Sequence, residues 1–342
     1  MSDHAIYQTM ALPHDHEKSV SDRLQHIPEP PPWRVFSKRG QESRGTCFHA
    51  EDAVRQRISE VVNAALCLRR PILVEGGPGT GKTTLAYAIA LELGLLGPYR
   101  WSITSRSTLR DGLYSYDAIG RLHVATLQKG KDGEDSTRTG QFLRLGPLGM
   151  AFYDSRPAED GLPARPAVLL VDEIDKSDID LPNDLLHVFE EGMFEIPELR
   201  QLEGEADEEV LPWRQSETGA KPVIHAGEVR CREFPLVIMT SNGEREFPGP
   251  FMRRCLRLKL DIPQGQDALL HLVKERFGTS LDEKMAEANN IIELYLADTT
   301  ERKMRHSVDQ LLNAMQLLLR GTDLSAEANE KLRAIVFSNL AD

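Results

Sequence analysis

The chain has 342 residues, 40% of them hydrophobic and 27% charged, enough to bury a full core in about one to three domains. A formal net charge of −12 disfavours general binding to a phosphate backbone, so nucleic acid is not an expected partner. No apolar run approaches the roughly 20 residues of a membrane helix, Met1–Lys18 lacks a basic region followed by an apolar one, and the four cysteines are scattered like reduced thiols, so a cytoplasmic protein is expected.

Residues 1 to about 45 read as a separate N-terminal extension. The run Pro28-Glu29-Pro30-Pro31-Pro32-Trp33 favours polyproline II and excludes helix. It suits either a strap anchored on a neighbouring subunit by Trp33 and Phe36, or an unanchored tail. From Glu51 to Leu68, the apolar residues Val54, Ile58, Val61, Val62, Ala65 and Leu68 fall on one helix face.

Pro71-Ile72-Leu73-Val74 is a short apolar run with the character of a buried parallel strand. It leads into Gly76-Gly77-Pro78-Gly79-Thr80-Gly81-Lys82-Thr83-Thr84, which fits the phosphate-binding pattern G-x-x-x-x-G-K-[ST]. The glycines allow a tight turn that aims consecutive N–H groups at phosphate oxygens. A helix of good formers follows from Leu85, and its N-terminus adds positive potential. Lys82 is placed to reach the β- and γ-phosphates, and the Thr83 hydroxyl to hold Mg²⁺.

Tyr99 to Thr104 is the second candidate strand. Ala167-Val168-Leu169-Leu170-Val171-Asp172-Glu173 is the third, ending in two carboxylates at the edge where open α/β sheets bind ligands. Asp172 is expected to hold Mg²⁺ through water and Glu173 to polarise the attacking water. Pro235 to Asn242 repeats the plan, with Asn242 placed to orient water. Leu256-Arg257-Leu258-Lys259-Leu260 alternates like an edge strand. Just before it stand Arg253 and Arg254, candidates for a cation that stabilises developing phosphoryl charge. Two inserts, Gly130-Lys131-Asp132-Gly133-Glu134-Asp135 and Ala206 to Lys221, are polar and turn-rich. Phosphate chemistry does not need them, so substrate contact is one role for them and passive loops the other.

After Pro263 only helical periodicity remains, over Gln264–Phe277, Leu281–Leu296, Ser307–Leu319 and Ala326–Leu340. Ser307 and Gln310 have capping-box spacing, and Arg302 and Arg305 lie just ahead of them. The domains expected are therefore 1–45, 46–262 as an α/β core, and 263–342 as a small α-helical lid.

Strand–P-loop–helix, Leu-Leu-Val-Asp-Glu, Thr-Ser-Asn, paired arginines and a helical lid, in this order, resemble an AAA+ ATPase. Gly146-Pro147-Leu148, Asp172-Glu173-Ile174-Asp175-Lys176, Leu185 to Gly192 and Phe194-Glu195-Ile196-Pro197 resemble the MoxR-type branch, which includes the CbbQ and NorQ activators. Ser105 to Tyr114 and Ser241 to Pro248 are similar to a bacterial subgroup encoded beside von Willebrand factor A proteins in conflict or stress-response systems. The resemblance spans about residues 46 to 320. It implies an AAA+ P-loop NTPase core with a parallel five-stranded sheet ordered 5-1-4-3-2, ATP and Mg²⁺ as cofactors, and a homo-oligomeric hexameric ring. It also implies hairpins at about 128–146 and 193–233. By the same resemblance Arg254, in preference to Arg253, is the trans-acting arginine, and Arg305 or Arg302 the lid arginine. The implied activity is ATP hydrolysis that remodels a protein client, for which a von Willebrand A domain protein is the candidate. The alternative is a nucleotide-gated switch that hydrolyses ATP slowly.

Overall fold

The computed structural model describes residues 48, 50, 52–128, 138–156, 165–200, 207–214, 221–262, 265–301 and 308–319. The N-terminal extension, the charged stretch Gly130–Asp135, parts of the second insert, Arg302, Arg305, Ser307 and the expected helix Ala326–Leu340 lie outside the described residues.

The strands in chain order are β1 (Ile72–Glu75), β2 (Tyr99–Ser102), β3 (Tyr114–Tyr116), β4 (Leu143–Leu145), β5 (Val168–Asp172), β6 (Met193–Glu195), β7 (Asp207–Glu209), β8 (Val223–His225), β9 (Glu228–Arg230), β10 (Leu236–Ser241) and β11 (Leu256–Lys259). Five of them form one parallel sheet in the order β11-β1-β10-β5-β2. Numbered along the chain, that is the 5-1-4-3-2 order implied by the resemblance, and the α/β core is that of a P-loop NTPase. β5 and β10 are buried at every position, as expected of central parallel strands covered on both faces. β11 buries Leu258 and exposes Arg257 and Lys259, which blunts the sheet edge it occupies.

The helix Asp52–Leu68 packs along β1 and β11 and buries Ile58, Val62 and Ala65. The apolar face read from the sequence ran on to Leu68, but that side chain is exposed, because the helix ends there and the chain turns at Arg69. The helix Lys82–Leu93 starts after Gly81 and stops at Gly94, both with left-handed backbone. It buries Leu85, Ala86, Ile89 and Ala90.

Two smaller sheets carry the insertions. β3 and β4 pair antiparallel, with the helix Ala118–Gln128 between them. Of the first insert, expected as a hairpin at about 128–146, the described part includes β4, whose antiparallel partner β3 begins at Tyr114. Tyr114-Ser115-Tyr116 is too short to read as a strand alone, and it is fixed by its ladder to β4 and by Gly146 N–H donating to Leu113 O at 2.8 Å. The second insert forms an antiparallel sheet ordered β6-β9-β8-β7. Its Phe194 lies near Phe152 and stacks on Tyr114, which ties both inserts to the main core.

Cys67, Cys231 and Cys255 are free thiols. Burial pushes the Cys255 thiol up to about 12, so it stays protonated and packs as a small apolar group. Among the described residues no helix is long and apolar enough to cross a membrane.

Ala50–Ile262 forms one compact unit, and the helices that follow belong to another. In the second unit Gln266–Phe277, Met285–Glu301 and Val308–Leu319 bury Leu269, Val273, Ile291, Ile292, Leu311 and Met315. The stretch from Leu281, read as the start of a helix, is 3-10 backbone over Gly278–Lys284 before the α-helix begins.

Leu170 is fully buried at the middle of β5. Leu170→Ala is expected to destabilise the core unit by about 2–5 kcal/mol through lost burial and an unfilled cavity. Urea denaturation should show a lower midpoint at an unchanged slope.

Candidate functional site

The loop Gly76–Gly81 joins β1 to the helix Lys82–Leu93 at the C-terminal edge of the parallel sheet. Glycine meets two different needs in this loop. A Cβ on Gly76 would stand 2.2 Å from the backbone oxygen of Leu260. Gly81 has a φ of 84°, which strains any other residue. Thr80 Oγ1 donates to Gly77 O at 2.9 Å and closes the turn from inside. The buried Lys82 ammonium donates to the carbonyls of Gly76 at 2.8 Å and Gly77 at 2.7 Å, so it lies folded across the mouth of its own loop. Pro78, Gly79 and Thr84 complete the loop and the first helical turn.

Asp172 closes β5 beside this loop and is 5% exposed. Its Oδ1 accepts from Thr83 Oγ1 at 3.0 Å and from Thr240 Oγ1 at 2.7 Å. Its Oδ2 accepts from Arg100 Nε at 3.0 Å and Nη2 at 2.7 Å. A carboxylate and a hydroxyl 3.0 Å apart at the start of a phosphate-loop helix are hard oxygen donors of the kind Mg²⁺ takes together with water and nucleotide oxygens. Among the described residues no group of three or more His, Cys, Asp or Glu side chains could hold a metal ion.

Glu173 follows in left-handed backbone, with φ 62° and ψ 50°. For a non-glycine residue this is a locally strained conformation. Its N–H donates to Thr240 Oγ1 at 2.9 Å, and its carboxylate pairs with Lys176 at 2.8 Å. Thr240 thus serves both neighbours, donating to Asp172 and accepting from Glu173. Asn242 follows the end of β10, and its N–H donates to Asp175 Oδ2 at 2.8 Å. The same oxygen accepts from Glu244 N–H at 3.2 Å, so the buried Asp175 braces the Asn242 turn against the Glu173 turn.

The structure therefore brings Lys82, Thr83, Asp172, Glu173 and Asn242 to one sheet edge. Arg253 and Arg254 lie at the other. They end the helix Gly249–Arg254, just before β11, whose Leu256 is in register with Ile72 and Lys259 with Glu75. The three residue steps between those registers span about 10 Å. Arg254 is thus separated by the full depth of the sheet from its own phosphate loop. Its guanidinium pairs with Glu190 on the surface, and both side chains are about half exposed. Exposed pairs of this kind contribute little stability and separate readily. Arg305 lies outside the described residues.

For three residues at the site the sequence did not show the part they play in the structure. Asp175 stood in view within Asp-Glu-Ile-Asp, and Thr240 within Thr-Ser-Asn. Arg100 had a fainter signal: a cation inside a short strand that the parallel sheet places beside β5.

No protein-family model matches this chain, and no curated protein matches it. Among solved structures it is similar to NtrX from Brucella abortus in complex with ADP, with TM-score 0.42 and 11% identity over 90% of this chain and 61% of that one. For the same protein in complex with ATP the values are TM-score 0.41 and 12% identity over 91% and 61%. The chain thus spans just over three fifths of the length of these two structures.

Thr240→Val keeps the side-chain shape and removes both hydrogen bonds. The Glu173 N–H and one donor to the buried Asp172 carboxylate are lost together. A cost of about 1–3 kcal/mol is expected for the groups left unsatisfied. Chemical denaturation of the variant against the parent checks it; an unchanged midpoint would show that water replaces the hydroxyl without loss.

Proposed function

We propose that this chain is an AAA+ ATPase of the MoxR type that binds ATP with Mg²⁺ and hydrolyses it at the interfaces of a ring, to remodel or activate a protein partner. The observation that carries the reading is the meeting of Thr83 and Asp172 at 3.0 Å, with Lys82, Glu173 and Asn242 on the same sheet edge.

In this reading the phosphates take the place of the Gly76 and Gly77 carbonyls as partners of Lys82. The N–H groups of the loop and the helix N-terminus face them. Thr83 and Asp172 hold Mg²⁺, which neutralises charge across the phosphates when bound. Glu173 leaves Lys176 and accepts a proton from the attacking water, while Asn242 orients that water. Arg254 leaves Glu190 and enters the site of the neighbouring copy. Its position across the sheet from its own loop supports action in trans, and a hexameric ring is the assembly we propose. A partner bearing a von Willebrand A domain is the proposed client, from the resemblance of Ser105 to Tyr114 and Ser241 to Pro248 to that subgroup.

One observation favours the slower, switch-like alternative. Lys82, Asp172 and Glu173 are each engaged by other groups of the same chain, and turnover must break those contacts. Continuous hydrolysis that rises on addition of partner supports the remodeller; near-single turnover supports the switch.

Lys82→Ala is expected to abolish ATP binding, and calorimetry showing unchanged affinity would remove the loop from the site. Glu173→Gln should bind ATP normally and lose turnover by about 10²-fold or more. Arg254→Ala should lose about 10³-fold. Mixing these last two inactive proteins should restore part of the activity, because some interfaces then pair an intact Glu173 with an intact Arg254. No recovery in rings shown to contain both chains would place Arg254 outside the shared site.

A further inference from the structure

Arg100 has no part in the scheme above, yet it makes a two-donor charged contact at the site. Its Nε and Nη2 both donate to Asp172 Oδ2, at 3.0 and 2.7 Å. Hydrogen bonds between two ionised groups are about twice as strong as neutral ones. The carboxylate is nearly buried, its side chain 7% exposed, while the guanidinium side chain is 36% exposed. The two oxygens of Asp172 face different neighbours. Oδ1 meets Thr83 and Thr240, on the side of the phosphate loop. Oδ2 meets Arg100, on the side of β2. The guanidinium therefore stands beside the cation position rather than in it, and a cation on the Thr83 side would share one carboxylate with Arg100.

The physical consequence follows from charge alone. Charges a few ångströms apart in a partly buried site interact far more strongly than in bulk water. A dication next to Asp172 loses much of its attraction to a carboxylate already matched by a guanidinium, and it is repelled by the guanidinium itself. Nucleotide phosphates bring several further negative charges and reverse the balance. Glu173 is not the target of this arginine, since its carboxylate is paired with Lys176.

We propose that Arg100 is a resident counter-ion that prevents Asp172 from retaining a divalent cation by itself, so that the cation is held only together with nucleotide phosphate. This rests on the reading of Thr83 and Asp172 as the cation site. Arg100 is a positioning residue in this scheme: it pairs with Asp172 and acts through it.

The test measures Mn²⁺ binding by electron paramagnetic resonance in the full chain, with and without a non-hydrolysable ATP analogue. Arg100→Gln keeps the length and polarity of the side chain and removes its charge; Arg100→Lys keeps the charge. Without nucleotide, Arg100→Gln should bind Mn²⁺ at least tenfold more tightly than the parent, and Arg100→Lys should stay near the parent. Adding Asp172→Asn to Arg100→Gln should abolish the gain. Thermal melting confirms that each variant is folded, and Arg100→Ala serves as a second neutral variant should the glutamine protein fail to fold. Equal or weaker Mn²⁺ binding by the neutral variants overturns the proposal, as does a gain that survives Asp172→Asn. If the parent takes up no Mn²⁺ even with the analogue, the cation site itself is misassigned and both readings fall. If the parent binds Mn²⁺ with the analogue and the neutral variants show no gain without it, only the role of Arg100 fails.

Discussion

The burial of one carboxylate organises the core. An ionised Asp172 at the end of β5 is tolerable only if every lone pair facing the interior has a donor. Those donors come from three separate segments: Thr83 from the helix after the phosphate loop, Thr240 from β10 and Arg100 from β2. Satisfying the charge thus fixes the loop helix and two neighbouring strands relative to β5. Structural need and chemical use coincide here, because a carboxylate held this firmly presents the same face to whatever binds beside the loop.

Parallel pairing supplies the second constraint. Every core strand ends on the same edge, so the residues that follow β1, β5 and β10 converge there regardless of their distance in sequence. Residues that precede a strand are sent to the far edge. Arg254 precedes β11 and therefore faces away from its own loop. Whatever rotamer Arg254 adopts, it starts from the edge opposite its own loop.

Much of this was legible in the sequence, for identifiable reasons. Fully buried parallel strands are continuous apolar runs, so β1, β5 and β10 announce themselves, and the residues just after them form the candidate site. The phosphate loop is readable because its shape demands glycine at fixed positions. What stayed hidden has no local pattern. Arg100 is one arginine among many until pairing sets β2 against β5. Asp175 became a brace only when the turn after β10 folded over it. β3 is three residues long, and its identity as a strand depends on a partner some distance along the chain. Leu68 kept the helical period yet ended exposed, because periodicity reports phase and says nothing of where packing stops.

Lys82 bridging the carbonyls of Gly76 and Gly77 has a kinetic meaning as well. Ordering the backbone of a loop costs about 1–2 kcal/mol per residue. Here the lysine and Thr80 hold the turn in shape before any phosphate arrives. On the proposed reading, an arriving phosphate would exchange one set of acceptors for another and would not have to fold a chain around itself. Departure would work in the same way, the ammonium returning to the two carbonyls that hold it here. A phosphate pocket preorganised by its own lysine can fill and empty without local unfolding.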